Sequence, residues 1–375
     1  MKVFLVSLIG QLILALVLWG CVKLAGEKGG RFRRVGAKVI LALLLLFLIA
    51  FATVWFLPQE ALSWVLKISN NYYVALMLFL TLFIGASLLG GIVLRLLKPT
   101  APQLRKRYYR AAFLLLLPVT VVLCGYGYYN TMHPRVVYHR VNINKACGTD
   151  SLRIAFVSDI HVGEIISEKE LKRLSEMVRA EQPDYVLVGG DVIDYYTAPA
   201  FKPAVEKWLK SLHPNPSHII YVLGNHEYYY HPLQKEKWLR GLGVLLKDSV
   251  LQLQENLYLI GRDDRTNKHR APLQALMQNI PQGAATIVLD HQPTDVKQER
   301  KLGVDLALHG HTHNGQFIPF KWVVGLAFER AYGFYRKGNT AYYVSSGYGV
   351  AGSPFRVGTH SEIAVLDLHF APLRK

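Results

Sequence analysis

Four long apolar stretches fill the first 130 residues, at about 3–25, 39–57, 72–97 and 111–128. Each approaches the ~20 residues a helix needs to cross ~30 Å of hydrocarbon. Arg95 stands near the end of the third, where its side chain can snorkel. Pro118 in the fourth is expected to kink that helix without abolishing it. Tyr72, Tyr73, Tyr108, Tyr109, Tyr126, Tyr128 and Tyr129 gather at expected helix ends, as an interfacial aromatic belt does. The pattern predicts a four-helix transmembrane anchor over residues 1–130. A buried helical bundle in a soluble protein is the competing reading.

Residues 131–150 read as a linker, and at 151 the pattern changes. Short apolar runs now alternate with amphipathic segments. A buried strand is expected at 152–158. Ser167 and Glu170 then make a capping box, and Leu171, Leu174 and Val178 form a helical stripe that Pro183 ends. Tyr185-Val186-Leu187-Val188 reads as a second strand, 203–212 as a helix and 219–223 as a third strand. Strand–helix alternation of this kind argues for a layered α/β domain over 151–370. Further strands are expected at 257–260, 285–289, 304–308, 341–344 and 363–368. Strands outnumber helices there, so a second sheet is expected.

Charge sharpens the membrane reading. The chain of 375 residues carries a formal net charge of +17. Residues 1–150 hold 17 Lys and Arg against 3 Asp and Glu, whereas 151–375 are nearly balanced at 26 against 23. The excess lies among the apolar stretches and so reports topology, not a nucleic-acid surface. Lys28, Arg31, Arg33, Arg34 and Lys38 crowd the first loop; Lys98, Arg105, Lys106, Arg107 and Arg110 crowd the third; the second has only Lys67. Loops one and three are therefore expected in the cytoplasm, with both termini and the C-terminal domain outside. Arg135, Arg140 and Lys145 after the fourth stretch pull the other way. Residues 1–21 also fit a signal peptide, with Leu18-Trp19-Gly20-Cys21 resembling a lipoprotein cleavage site. Cleavage there would leave the basic first loop outside, against the charge rule. Cys21, Cys124 and Cys147 give no disulfide framework.

The chemistry sits at the strand ends. The first strand ends in Asp159-Ile160-His161, the second in Gly189-Gly190-Asp191 and the third in Gly224-Asn225-His226-Glu227. Later ones end in Asp290-His291 and in His309-Gly310-His311-Thr312-His313. Open α/β sheets build sites at the C-terminal ends of their strands, and adjacent glycines permit tight turns. Mixed carboxylate, imidazole and amide donors suit Mn, Fe or Zn better than an all-oxygen cation site. His226 and His231 are five apart, so they do not form the paired helical histidines of a zinc protease.

Asp-x-His, Gly-Asp, Gly-Asn-His-Glu, a lone His and Gly-His-x-His, in this order, resemble the calcineurin-like metallophosphoesterases, over about residues 150–370. Within that family the chain is similar to membrane-attached or exported bacterial enzymes, including the UDP-2,3-diacylglucosamine hydrolase type. Ser345-Ser346-Gly347-Tyr348-Gly349, with Pro354 and Arg356 beyond, fits that branch.

The resemblance implies a four-layer α/β/β/α sandwich and two divalent metal ions (Mn, Fe or Zn). It implies Asp159, His161 and His313 on one metal, Asn225, His291 and His311 on the other, and Asp191 bridging them. It assigns His226 to the phosphate and leaving-group side, as a catalytic residue. Asn314 and Arg356 are candidate substrate contacts, Asp194 and Glu227 candidates for orienting the ligand histidines, and His309 is expected to pack below the site. Tyr228, Tyr229, Tyr230 and Trp238 are candidates for an apolar wall.

The implied activity is hydrolysis of a phosphodiester, phosphomonoester or pyrophosphate bond through a metal-activated hydroxide. Tethering favours a phosphorylated lipid or envelope substrate, with the bilayer itself as a partner and the bacterial inner membrane as the expected location. A nearly neutral catalytic domain argues against a nucleic-acid partner. Competing readings are a nuclease or cyclic-nucleotide phosphodiesterase, a protein phosphatase, or a non-enzymatic metal-binding membrane sensor or scaffold.

Overall fold

The structure is a computed structural model and describes residues 2–53, 59–97, 102–163, 165–194, 201–229 and 232–372. The chain divides into two compact units, Met1–Tyr126 and Gly127–Lys375.

In the first unit the apolar stretches form helices α1 (Lys2–Ala25), α2 (Arg31–Thr53), α3 (Gln59–Leu97) and α4 (Pro102–Met132), the last running on into the second unit. Leu14, Leu18 and Val22 of α1 pack with Ile40 of α2 and with Leu76, Phe79 and Phe83 of α3. Phe113 of α4 meets Phe79 and Phe83 edge-on, with centroids 4.9 and 5.5 Å away. Outward positions stay apolar and open: Leu88, Leu96 and Val121 are exposed. An inward-packed, outward-apolar helix suits a hydrocarbon surrounding.

Among the described residues, Asn71–Leu97 and Pro102–Met132 are long and apolar enough to cross a membrane, while Gly10–Ala25 is shorter. The four-span expectation is therefore met for two helices. Residues 54–57 of the expected second span lie outside the described residues. The last helix starts nine residues before the apolar stretch at 111, because Gln103–Arg110 contains no helix breaker.

The second unit holds two six-stranded sheets among the described residues. In chain order its elements begin with β1 (Arg135–Ala146), β2 (Ser151–Val157), α5 (Glu168–Ala180), β3 (Tyr185–Val188), α6 (Lys202–Lys210) and β4 (Ile219–Tyr221). There follow α7 (Pro232–Leu239), β5 (Val244–Leu245), β6 (Ser249–Gln254), β7 (Leu257–Gly261), α8 (Leu273–Met277) and β8 (Ala285–Leu289). The chain closes with α9 (Val296–Lys301), β9 (Leu306–His309), α10 (Phe320–Ala327), β10 (Gly333–Lys337), β11 (Thr340–Val344) and β12 (Glu362–Ala371).

Sheet one runs β1-β12-β2-β3-β4-β5 and sheet two β10-β11-β9-β8-β7-β6. Ile154, Phe156 and Leu187 of sheet one meet Leu259, Ile287 and Leu308 of sheet two in one core. The other face of sheet one packs on Leu171 and Leu174 of α5 and Leu209 of α6. The other face of sheet two packs on Leu273 of α8 and Val296 of α9. This is the expected α/β/β/α layering, and it follows from strands that are apolar on both faces.

The expected linker is a correction. Residues 135–146 form β1, which pairs in parallel with β12 from Arg135↔Glu362 onward. Val141 and Ile143 are buried on one face while Asn142 and Asn144 are exposed. An edge strand with alternating polarity reads as linker in sequence because only one of its faces is apolar.

β2, β3 and β4 are mutually parallel, as are β7, β8 and β9. Their C-terminal ends therefore lie along one rim in each sheet, which is where the polar motifs were read.

Candidate metal centre

The strand ends carry their polar side chains by an unusual backbone. Asp159, His161, Asp191, His311 and His313 all have positive φ, between 49° and 68°. That left-handed region costs a non-glycine residue about 1 kcal/mol or more, and such strain collects at functional sites. Here it turns consecutive carbonyls aside and aims side chains inward. The turns lock together: Asp159 N–H donates to Gly190 O at 3.0 Å, and His161 N–H to Asp191 O at 3.0 Å.

Two glycines make room. At Gly190, φ is +88°, and a Cβ would lie 2.8 Å from His291 Nδ1. At Gly310 a Cβ would lie 2.3 Å from Asp159 Oδ2 and 1.9 Å from Ser158 Oγ. Both positions need the bare backbone.

Three groups of donors converge: Asp159, His161 and His313; His161, Asp191 and His226; Asp191, His291 and His311. His161 Nε2 lies 3.1 Å from His313 Nε2, and His313 Nε2 lies 3.4 Å from Asp159 Oδ1. Asp191 Oδ2 lies 3.2 Å from His291 Nε2, 3.7 Å from His161 Nε2 and 4.0 Å from His226 Nε2. Asn225 Oδ1 adds a neutral oxygen 3.2 Å from His291 Nε2. One carboxylate oxygen thus stands between two clusters. All seven expected ligands are brought together, and the donor set fits divalent cations.

The surroundings fix each donor. Asp159 accepts the His311 N–H on both oxygens, at 2.9 and 3.0 Å. His291 Nδ1 meets Gly189 O at 2.7 Å, which leaves Nε2 toward the cluster. Asp194 Oδ1 lies 3.6 Å from His161 Nδ1 and 3.2 Å from His226 Nδ1, the orienting role expected of it.

Glu227 differs from expectation. Its carboxylate accepts the N–H groups of Asp191, Val192, Ile193 and Gly224 at 2.7–3.2 Å. It braces the Asp191 turn, because only a buried carboxylate can satisfy so many converging amides.

Burial depresses the pKa of His161, yet Asp194, Asp191 and Asp159 outweigh it and lift it to about 9. His291 is raised well above its usual range, since Asp191 overcomes its burial. Asp191 in turn is held well below the carboxylate range: burial opposes this, but His291, His226 and His161 prevail. Burial, followed by the charges of His161 and Arg356, pushes His313 well down.

His226 reaches solvent, with its side chain 18% exposed. Its ring stands edge-on to His161 at 4.5 Å and to Tyr229 at 5.2 Å. Tyr229 thus does wall the site, and its OH accepts from Asn225 Nδ2 at 3.3 Å. Tyr228 instead bonds Asp263, Trp238 bonds Glu206, and Tyr230 lies outside the described residues. Asn314 follows His313 in a left-handed turn and is 9% exposed. His309 packs below the site, with Nδ1 on Asp290 O and Nε2 3.4 Å from Glu299.

Arg356, expected to touch substrate, is fully buried. Its guanidinium donates to the carbonyls of Ser346, Gly347, Gly349 and His360, and Nη2 lies 3.3 Å from His313 Nδ1. It holds a loop against the site and has no open face for a ligand. Lys235 escaped the sequence reading: its Nζ donates to His226 O at 3.0 Å. No motif marks it, because the contact is to a backbone carbonyl.

The family model described as calcineurin-like phosphoesterase matches residues 152–315. A metallophosphoesterase of Helicobacter pylori strain J99 is 31% identical over 275 residues, covering 70% of this chain and 71% of its own. A zebrafish (Danio rerio) transmembrane protein with metallophosphoesterase domain is 28% identical over 355 residues, covering 88% of this chain and 80% of its own. An equally named protein of Bos taurus is 28% identical over 286 residues, covering 69% and 62%.

Proposed function

This chain belongs to the calcineurin-like metallophosphoesterase family, and we propose that it is a membrane-tethered, two-metal phosphoesterase acting on a phosphorylated lipid or envelope substrate. The single observation that carries the reading is the position of Asp191 Oδ2, within 4.0 Å of imidazoles from both donor clusters.

Asp159, His161 and His313 would hold one cation, and Asn225, His291 and His311 the other, with Asp191 shared. Such a pair supplies Lewis acidity, making water a stronger nucleophile and offsetting phosphate charge. The protein's own part is orientation and proton delivery. Asp194 holds His226 Nδ1 and so presents Nε2 toward the cluster. From there His226 donates a hydrogen bond to a phosphate oxygen or a proton to the leaving oxygen. Glu227 keeps Asp191 in place through its turn, and Arg356 keeps the 346–349 loop beside His313.

Membrane tethering is supported by the two membrane-length helices and by relatives named as transmembrane proteins; the four apolar stretches of the sequence extend the proposal to four spans. The loop charges support an extracytoplasmic catalytic unit.

The test is metal analysis with hydrolysis assays on the full-length protein in detergent, with Mn added. Bis-p-nitrophenyl phosphate, p-nitrophenyl phosphate and UDP-diacylglucosamine are compared side by side. Two cations per chain with turnover of any of them is the expected result. A folded protein that binds no metal would overturn the reading.

A further inference from the structure

α10 is an eight-residue helix, Phe-Lys-Trp-Val-Val-Gly-Leu-Ala, with one polar residue and no buried one. Trp322, Val323 and Leu326 are 58%, 55% and 90% exposed. A surface helix of a water-soluble unit buries its apolar stripe and turns polar residues outward; this one has no polar side to turn. A contiguous apolar patch of this kind marks a contact surface.

Its place in the fold says what covers it. α10 is spliced between site residues: the His313–Gly315 turn lies just before it, and Phe328 just after it packs 6.3 Å from the His311 ring. The segment entering α10 is pinned to the loop 353–359. Gln316 Nε2 donates to Ser353 O at 2.6 Å, Ile318 N–H to Val357 O at 3.2 Å and Lys321 Nζ to Gly358 O at 2.9 Å.

The same loop is pinned on its other flank to the last residues of α4, a helix of membrane-crossing length. Arg356 N–H donates to Gly127 O at 3.0 Å, Asn130 Nδ2 to Arg356 O at 3.0 Å and Thr131 Oγ1 to Pro354 O at 2.6 Å. One loop thus joins the end of α4, α10 and, through the Arg356 guanidinium, His313.

We infer that α10 is a membrane-surface anchor, dipping Trp322, Val323 and Leu326 into the boundary between lipid headgroups and acyl chains. Trp suits that boundary, with an apolar ring and an N–H for the wet side. Lys321 at the start of α10 and exposed Arg330 just beyond it suit anionic headgroups. A second copy of the chain fits less well, since eight residues bury far less than the ~800 Å² per partner of a stable interface.

The anchor holds the donor cluster at headgroup level, so the substrate is a phosphate ester carried by a lipid and presented there. That last step rests on the phosphoesterase reading; the position of α10 does not.

The experiment places a polarity-sensitive fluorophore on Leu326→Cys in the full-length protein, reconstituted in phosphatidylcholine–phosphatidylglycerol nanodiscs. Leu233→Cys serves as the reference, an 81% exposed residue on α7. The three native cysteines are buried and free. The expected result is blue-shifted emission at 326, quenched several-fold by a nitroxide high on the acyl chain and hardly by aqueous iodide, with the reverse at 233. Iodide quenching at 326 equal to that at 233 would overturn the anchor. Protection from both quenchers would also overturn it, by showing that protein covers α10. Neither outcome depends on hydrolysis, so failure here is separate from failure of the phosphoesterase reading.

Discussion

His161 and His313 lie 152 residues apart in sequence, yet their Nε2 atoms face each other at 3.1 Å. The first follows β2 of sheet one; the second follows β9 of sheet two. Two imidazole nitrogens this close repel unless a proton or a cation lies between them. Their spacing fits a shared cation, and it exists only because the two sheets stack with their rims aligned.

Asp191 is the group whose loss both clusters feel. In Asp191→Asn the shared oxygen becomes a weak neutral donor, while its turn keeps the bonds to Glu227. Metal-assisted stabilisation amounts to several kcal/mol, at about 1.4 kcal/mol per tenfold in rate. We expect hydrolysis to fall by about 10³ or more and metal content to drop, with the thermal unfolding of the chain little changed. Full activity in this variant, measured beside the metal content, would contradict the shared-ligand role.

Glu227 contributes mainly through the backbone. Glu227→Gln places an amide NH₂ among four N–H donors. Hydrogen bonds to a buried charge contribute about 1.5–3 kcal/mol each, so a cost of about 3 kcal/mol is expected in unfolding experiments. Loss of an outer support also weakens metal binding by about 10–100-fold. A stable variant with unaltered metal affinity would show that the Asp191 turn holds itself.

The Gly310 turn has no room for a methyl group. A Cβ there meets Ser158 Oγ at 1.9 Å and Asp159 Oδ2 at 2.3 Å, so Gly310→Ala must displace Asp159 or the turn itself. Overpacking costs about 1–3 kcal/mol. The expected variant is folded and loses metal at the Asp159 side, read as about half the metal content with greatly reduced turnover.

Cys147 supplies a pH-dependent test of the sheet packing. Burial, aided by Asp305, pushes its thiol up to about 11. Only the thiolate reacts, so raising pH toward that value increases reactivity about tenfold per unit. In a Cys21→Ser, Cys124→Ser background, labelling by a thiol reagent at pH 8 should be very slow in the folded protein and fast after unfolding. Rapid labelling of the folded chain at pH 8 would show that β1 and its following turn open readily.

The chemistry was legible because ligand residues sit next to recognisable strands. Ile154–Val157, Tyr185–Val188 and Ala285–Leu289 are apolar on both faces, so their ends could be located from sequence. The polar residue that follows each then marks the rim. β1 was not legible, because an edge strand buries one face only and its Arg, His and Asn positions read as linker. Arg356 was read as a substrate contact because sequence gives a charge and not its burial. Four backbone carbonyls surround that guanidinium, and carbonyls leave no side-chain signature.

By itself, then, the sequence determined the helical segments, the layered α/β unit and the polar groups at its strand ends, since periodicity and local turn chemistry act over a few residues. Tertiary structure alone decided which oxygen of Asp191 lies between the clusters, that Asp194 serves both His161 and His226, and that α10 stands open beside the site. Those facts depend on how two sheets register against each other, and that register is set by core contacts between residues far apart in the chain.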